Sequence, residues 1–164
     1  MPQNHQDLML AMMEYEKGCP ERIQHFLKVH ILAKTIGLIE EINANDQYIL
    51  EAAALVHDIG IRPSIVKYHS SKGSYQEELG PPLAKEMLLN LGYDNEVAQR
   101  VAYLVSRHHT YTNIDGIDYQ ILVEADFLVN MLEEEMSFES KKKVFDNIFQ
   151  TASGKRLCRT MYSL

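Results

Sequence analysis

The sequence predicts an all-α protein, a bundle of six to seven helices. Apolar residues recur with the period of an amphipathic helix along most of the chain, and no stretch shows the strict alternation of a half-buried strand. Glycine and proline interrupt this pattern at intervals typical of helix ends, as at Gly18-Cys19-Pro20. Because the chain has 164 residues, of which 46% are hydrophobic, a single domain over 1–164 is expected.

Each helix is predicted from its apolar period and from the residues at its ends. Pro20 suits the first turn of the second helix, Gly37 suits its end or a bend, and Asp46 suits the N-cap of the third. The run Ile49–Val56 is almost wholly apolar and predicts a central, buried helix. The predicted helices run over about 6–17, 20–37, 46–57, 81–91, 95–108, 119–132 and 137–150.

Three segments are predicted to be irregular. Residues 60–76 lose the helical period and contain Pro63, Gly73 and several serines, so they predict a loop of unusual length. Loops of this length in small domains are commonly functional. A second loop is expected over 110–116, and a polar tail after Gly154.

Charge and composition exclude several classes of function. Sixteen basic against 23 acidic residues give a net charge of −7, and Lys141–Lys143 is an isolated cationic run, so binding of nucleic-acid polymers is not expected. Two cysteines without a CxxC spacing predict no disulfide framework. The apolar stretch 8–13 is too short for a leader, and no stretch is long enough to span a membrane, so we expect a cytoplasmic protein without membrane contact.

A His-Asp pair, His57-Asp58, ends the most apolar predicted helix. A carboxylate at the end of a buried helix is costly unless its charge is compensated. A divalent cation would compensate it, since imidazole suits zinc, iron, nickel or manganese and carboxylate favours manganese or magnesium. The alternative is an aspartate bound by a neighbouring helix N-terminus beside a histidine bound to a carbonyl.

The His-Asp pair belongs to an ordered series of motifs that covers about residues 20–135. The series is Arg22-x-x-His25-x-x-x-Val29, Leu55-Val56-His57-Asp58-Ile59-Gly60, Arg107-His108-His109 and Glu124-Ala125-Asp126. In this order, on predicted helices, it resembles the HD-domain superfamily of metal-dependent phosphohydrolases. The resemblance implies an HD-domain-like helical fold.

The resemblance also implies the metal ligands and their chemistry. His25, His57, Asp58 and Asp126 match the four ligand positions of the family, around one divalent ion of manganese, zinc, nickel, iron or magnesium. His25 shares its helical face with apolar residues and should point inward, whereas His30, five residues on, is expected to be structural or at the surface. Asp58 is predicted to orient the attacking water, because a bound divalent ion acidifies water and polarises a phosphoryl group.

Further polar residues are assigned roles around the ion. His108 is predicted to be catalytic, because the family often uses a histidine there for a second metal or for phosphate, and His109 and Arg107 beside it are predicted to bind substrate. Arg62 and Lys67 follow the His-Asp motif closely and are predicted to bind phosphate oxygens. For each of the three cations, the alternative is an ordinary surface charge.

One position departs from the family pattern. Many members carry a further histidine just before a helix that reads like 81–88, and this chain has Gly80 there, preceded by Glu77-Glu78. A site with one metal would explain the departure, and so would a carboxylate from Glu77 or Glu78 in place of the histidine. We predict one metal, with Glu77 as a candidate catalytic base. The alternative is that both glutamates cap a helix beginning at Pro81.

The function expected from these features is metal-dependent hydrolysis of a small phosphoester, a nucleotide or a related phosphate. Two alternatives differ in class. A di-iron HD-domain oxygenase would need further histidine ligands, and Gly80 counts against it. A non-catalytic module that binds metal and nucleotide would keep the ligand set without turnover.

Overall fold

A computed structural model describes Pro2 and residues 4–164 of the chain, so residues 1 and 3 of the predicted single domain lie outside the described part. The described residues form nine helices and no strand, which confirms the all-α class. In this part of the chain, no helix is both long and apolar enough to cross a membrane. The helices are α1 Gln6–Tyr15, α2 Pro20–Ile39, α3 Ala44–Val56, α4 Ile61–Tyr68, α5 Gly73–Asn90, α6 Asn95–Val105, α7 Ile117–Glu133, α8 Phe138–Asn147 and α9 Ala152–Tyr162.

Helices α3 and α7 form the centre of the bundle. The run Ile49–Val56 is buried except for Glu51, and α7 buries nearly all of its length from Asp118 to Met131. Helix α2 packs against both, while α6 packs between α3 and α5. Because helices that are apolar almost all round must be enclosed by others, these two form the rigid frame that carries the site.

The start of α3 differs from the prediction by one turn. Asn43, not Asp46, is the N-cap, and its Oδ1 accepts the Asp46 backbone N–H at 2.8 Å. The Asn43 amide donates in return to the Asp46 carboxylate at 2.7 Å, so the two residues close a reciprocal cap. Gly37 does not end α2, since the helix continues to Ile39.

The prediction of a long loop over 60–76 is wrong. This segment contains the helix α4 and the first turn of α5, and α5 begins at Gly73 rather than at Pro81. Pro63 is accommodated because it lies in the first turn of α4, where a backbone N–H has no intrahelical partner. Packing against α4 and α6 stabilises the first half of α5, and tertiary packing of this kind outweighs weak local propensity.

The turn before α4 crosses α5 at two glycines, Gly60 in the turn and Gly80 in the helix. A Cβ added at Gly60 would lie 2.6 Å from the backbone oxygen of Gln76, and one added at Gly80 would lie 2.8 Å from a methyl group of Val105. Gly80 also faces Gly60, whose backbone N would be 3.4 Å from the added Cβ. The close backbone approach explains both glycines and fixes the turn that carries His57-Asp58.

The prediction of a polar tail after Gly154 is also wrong, because α9 occupies Ala152–Tyr162. Thr151 caps this helix, its Oγ1 accepting the Gly154 N–H at 2.9 Å. The buried carboxylate of Glu124 in turn accepts the Thr151 hydroxyl at 2.6 Å and the Thr151 backbone N–H at 3.1 Å. Glu124 therefore anchors the turn between α8 and α9 on the central helix α7.

The glycine crossing predicts a stability difference between two glycine-to-alanine variants. Gly60→Ala should lower the free energy of unfolding by about 1–3 kcal/mol, since the new methyl group meets fixed backbone. Gly37→Ala is the control, because there the added Cβ meets the movable end of the Gln47 side chain. Urea unfolding followed by circular dichroism measures both, and equal stability of the two variants would contradict the crossing.

Candidate metal centre

Two histidines at helix ends are oriented in the same way. His57 follows α3 and His108 follows α6, and both are fully buried. Each Nδ1 lies 2.7 Å from the carbonyl oxygen three residues earlier, that of Ala54 or Val105. The last carbonyls of a helix lack intrahelical partners and can only accept, so Nδ1–H donates to them. In the neutral imidazole, Nε2 then keeps a lone pair for the interior.

Four donor atoms meet between α2, α7 and the turn after α3. Nε2 of His25 lies 3.1 Å from Nε2 of His57, 3.1 Å from Asp58 Oδ2 and 3.2 Å from Asp126 Oδ1. Nε2 of His57 lies 3.4 Å and 3.3 Å from the same two oxygens. This four-donor cluster consists of the residues that the family resemblance singled out, brought together from three separate parts of the chain.

The four-donor cluster fits one divalent ion. Two imidazole nitrogens and two carboxylate oxygens at this separation repel one another unless a cation lies between them. Asp126 Oδ1 is buried and makes no hydrogen bond of ordinary geometry, although it lies close to both nitrogens. Ligands about 2.1 Å from one ion are about 3.0–3.4 Å apart, the spacing seen here.

The electrostatics of the cluster favour positive charge. Burial lowers the pKa of His25, but close contacts with the carboxylates of Asp126 and Asp58 outweigh burial and raise that pKa to about 11. Burial alone would raise the pKa of Asp126, whereas the charge of His57 and the contact with His25 lower it below the usual aspartate value. A metal cation competes with protons for such a site.

Asp58 joins this cluster to a second group of donors. Its Oδ2 faces the four-donor cluster, and its Oδ1 lies 3.4 Å from Nε2 of His108, which is buried and makes no hydrogen bond within the described chain. Asp58, His108 and His109 each offer a ligand atom within 4.8 Å of the others. Donors for a second ion therefore lie next to the first site.

A cleft of about 630 Å³ opens over the four-donor cluster. His109 lies in its wall with Nε2 3.0 Å from Gln76 Oε1, and burial together with the charge of His108 lowers the pKa of His109 to about 4. His109 is therefore neutral near pH 7. The cleft is lined by Glu21, Arg22, His25, Asp58, Ile61, Ser71, Gly73, Gln76, His109, Asn130, Glu133 and Glu134.

Arg22 is the cation of the cleft, a role that the motif did not assign to it. Its Nε donates to the buried carboxylate of Glu16 at 2.6 Å, which links the start of α2 to the end of α1. Within the described chain, no side chain or carbonyl accepts from its two Nη groups. A guanidinium fixed on one side and open on the other suits a phosphate oxygen pair.

The three cations predicted to bind substrate lie outside the lining of this cleft. Arg62 is 3.4 Å from the same Glu16 carboxylate, and Lys67 pairs with Glu78 at 3.6 Å on the exposed side of α4. Arg107 lies over the ring of Tyr103, 5.7 Å from its centroid. Proximity in sequence to the ligands therefore does not place these three side chains in the cleft lining.

The glutamates before Gly80 also lie outside the cleft lining. Glu77 accepts the His109 backbone N–H at 3.0 Å and the Thr110 hydroxyl at 3.0 Å, so it fixes the turn that carries His108 and His109. Glu78 accepts the Tyr68 hydroxyl at 2.8 Å. The alternative that both cap a helix at Pro81 is wrong, since α5 begins at Gly73. Gln76, one turn before Gly80, is the residue of α5 whose side chain bonds the His109 ring.

His30 is outside the four-donor cluster, as predicted. Its Nδ1 lies 3.1 Å from the backbone oxygen of Glu51, on the side of α2 away from Asp126. His5, near the start of the chain, is buried, with Nδ1 2.6 Å from the hydroxyl of Tyr93.

Comparisons with known proteins agree with this geometry. The family model "HD domain" matches residues 22–146. The crystal structure of a predicted HD superfamily hydrolase from an uncultured Thermotogales bacterium is similar in fold, with a TM-score of 0.68 and 24% sequence identity over 97% of this chain and 86% of that one. A search of curated proteins gave no match. With its ligand motifs gathered into one centre and the family pattern spanning most of its length, the chain belongs to the HD-domain family.

Proposed function

We propose that this protein is a metal-dependent phosphohydrolase that acts on a small phosphoester, a nucleotide or a related phosphate. The observation that carries the proposal is the four-donor cluster, with its separations of 3.1–3.4 Å, at the base of a cleft of about 630 Å³. A cleft of this size suits a small molecule. Two neutral imidazoles and two carboxylates balance the charge of one divalent ion of manganese, zinc, nickel, iron or magnesium.

The roles of the residues follow from their contacts. A bound divalent ion supplies acidified water and charge neutralisation at a phosphoryl oxygen. Asp58 lies between the cluster and His108, so its carboxylate is suited to orient the attacking water and to accept its proton. His108 presents Nε2 to the second Asp58 oxygen at 3.4 Å, while its Nδ1 is fixed on Val105. Because these side chains are held in place before the substrate binds, less reorganisation of the site is needed during the reaction.

The walls of the cleft suit a substrate with a single phosphate group. Arg22 offers its Nη groups to phosphate oxygens, and neutral His109 and Gln76 offer hydrogen bonds. Three further carboxylates, those of Glu21, Glu133 and Glu134, lie in the same lining. Their charges disfavour polyphosphates, so we propose a phosphomonoester as the substrate class.

A second candidate function follows from the second group of donors. Asp58, His108 and His109 offer a place for a further ion, and two ions are also the requirement of a di-iron HD-domain oxygenase. Two equivalents of iron and consumption of oxygen would favour the oxygenase function over the hydrolase function. Tight binding of metal and nucleotide without turnover would favour a non-catalytic binding module.

The first prediction of the proposed function concerns metal content. The purified, tag-free protein should carry about one equivalent of a divalent metal by elemental mass spectrometry, and Asp58→Ala should lose it, because the variant removes the carboxylate shared by both donor groups. Its helix content by circular dichroism should remain, since the core around α3 and α7 is apolar. His30→Ala is the matched histidine control and should keep the metal; loss of metal in that variant would contradict the ligand assignment.

The second prediction of the proposed function concerns phosphatase activity. Protein stripped with a chelator and reloaded with manganese should hydrolyse members of a panel of phosphomonoesters, measured by release of inorganic phosphate, whereas the stripped protein and Asp58→Ala should not. Nucleoside triphosphates should be poorer substrates than the corresponding monophosphates because of the carboxylates in the lining. No phosphate release from any member by the reloaded protein would overturn the hydrolase assignment.

A further prediction tests whether Arg22, and not Arg62, binds the substrate. Arg22→Met should raise KM for a phosphomonoester about tenfold or more, as expected for the loss of a charged hydrogen bond worth about 1.5–3 kcal/mol. Arg62→Met is the matched control, since Arg62 contacts the same Glu16 carboxylate from outside the cleft. Equal changes in KM for the two variants would show that Arg22 acts through Glu16 and not on substrate.

A further inference from the structure

We infer that Glu133 is the positioning residue of the metal centre, holding the imidazole of His25 in the tautomer and orientation that a metal ligand needs. His25 Nδ1 lies 2.5 Å from Glu133 Oε1. A carboxylate oxygen can only accept, so Nδ1–H donates and Nε2 faces the cluster with its lone pair. The inference rests on the metal centre proposed above and goes beyond it by assigning a residue outside the four motifs of the sequence analysis.

The position of His25 explains why it needs a partner from another helix. His57 and His108 lie at helix ends and use free backbone carbonyls, whereas His25 lies within α2, where backbone carbonyls are bonded along the helix. Glu133 is the last residue of α7 and lies seven residues, about two turns, after Asp126. One helix therefore supplies both a ligand and the group that orients another ligand.

The acceptor on His25 differs in kind from those on the other two histidines. A carboxylate is a stronger acceptor than a backbone carbonyl, and it raises the basicity of the opposite ring nitrogen. His25 is therefore the most electron-rich imidazole of the cluster. Partners of this kind commonly change metal affinity about 10- to 100-fold when they are removed.

Lys28 fixes Glu133 in this role. Its Nζ lies 3.0 Å from Glu133 Oε2, and it follows His25 by three residues, so α2 holds both oxygens of one carboxylate. The side chains of Lys28 and Glu133 are 48% and 28% exposed. A pair this exposed adds little to global stability, so the main consequence of Glu133 is local, at His25.

The test compares two glutamates that are neighbours in sequence and in the cleft. Glu133→Gln and Glu134→Gln remove the same charge from the same lining, but among the described residues Glu134 makes no hydrogen bond to a histidine. The affinity of the full, metal-free chain for Zn²⁺ is measured by competition with a chromophoric chelator. We expect the dissociation constant to rise about 10- to 100-fold in Glu133→Gln and less than threefold in Glu134→Gln.

A spectroscopic readout separates positioning from a general loss of structure. In the ¹H NMR spectrum of the Zn²⁺-loaded protein, the far-downfield Nδ1 proton assigned to His25 should be present in the wild type and in Glu134→Gln and absent in Glu133→Ala. The melting temperatures of the metal-free variants should agree with that of the wild type within a few degrees. Lys28→Met should keep the downfield proton, because the Glu133–His25 bond remains.

The outcomes distinguish failure of the inference from failure of the proposed function. Equal Zn²⁺ affinities in Glu133→Gln and Glu134→Gln, or retention of the downfield proton in Glu133→Ala, overturn the positioning role and leave the metal centre intact. A wild-type chain that binds no Zn²⁺ overturns the metal centre and the inference together.

Discussion

The structure is organised around one electrostatic constraint, the convergence of two carboxylates and two imidazole nitrogens inside an apolar bundle. His57 is fully buried and Asp126 is 4% exposed, so water cannot screen these groups. Each imidazole is instead fixed through its other nitrogen, on Ala54 for His57 and on Glu133 for His25. The apolar surfaces of α3 and α7 supply the rigidity that keeps such groups together, and the divalent ion proposed for the site would supply the charge that makes the arrangement favourable.

The same constraint explains the features around the site. The turn after α3 must deliver Asp58 between two groups of donors, and the glycine crossing of Gly60 and Gly80 lets α5 approach this turn closely. Glu77 fixes the turn after α6 from the opposite side by accepting the His109 N–H. At Gly80, where the family resemblance implies a histidine, the space is taken by Val105 and by the backbone of Gly60. Gln76 is the α5 residue whose side chain bonds His109 in the cleft wall. The cation of the cleft is Arg22, which belongs to the first motif.

Most of the fold was predictable because its central helices carry strong signals. The apolar run 49–56 and the regular period of 119–132 define α3 and α7 without tertiary information. The failures lie where local preference is weak and packing decides. Pro81 and Pro82 lie inside α5 because that helix is buried against α4 and α6. Helix α9 has few apolar residues and depends on its Thr151 cap and on Glu124.

The sequence by itself determined the fold class, because its apolar residues recur with the helical period. It predicted the ligand set through the resemblance of its motif series to the HD-domain family. Tertiary structure decided which charged side chains reach the cleft. Arg62 and Lys67 are close to Asp58 along the chain yet outside the lining, whereas Glu133 is 108 residues from His25 and bonded to it. Within one helical turn, neighbouring residues point in different directions, whereas packing of separate helices brings residues from distant parts of the chain together. Proximity in sequence therefore says little about proximity to the site.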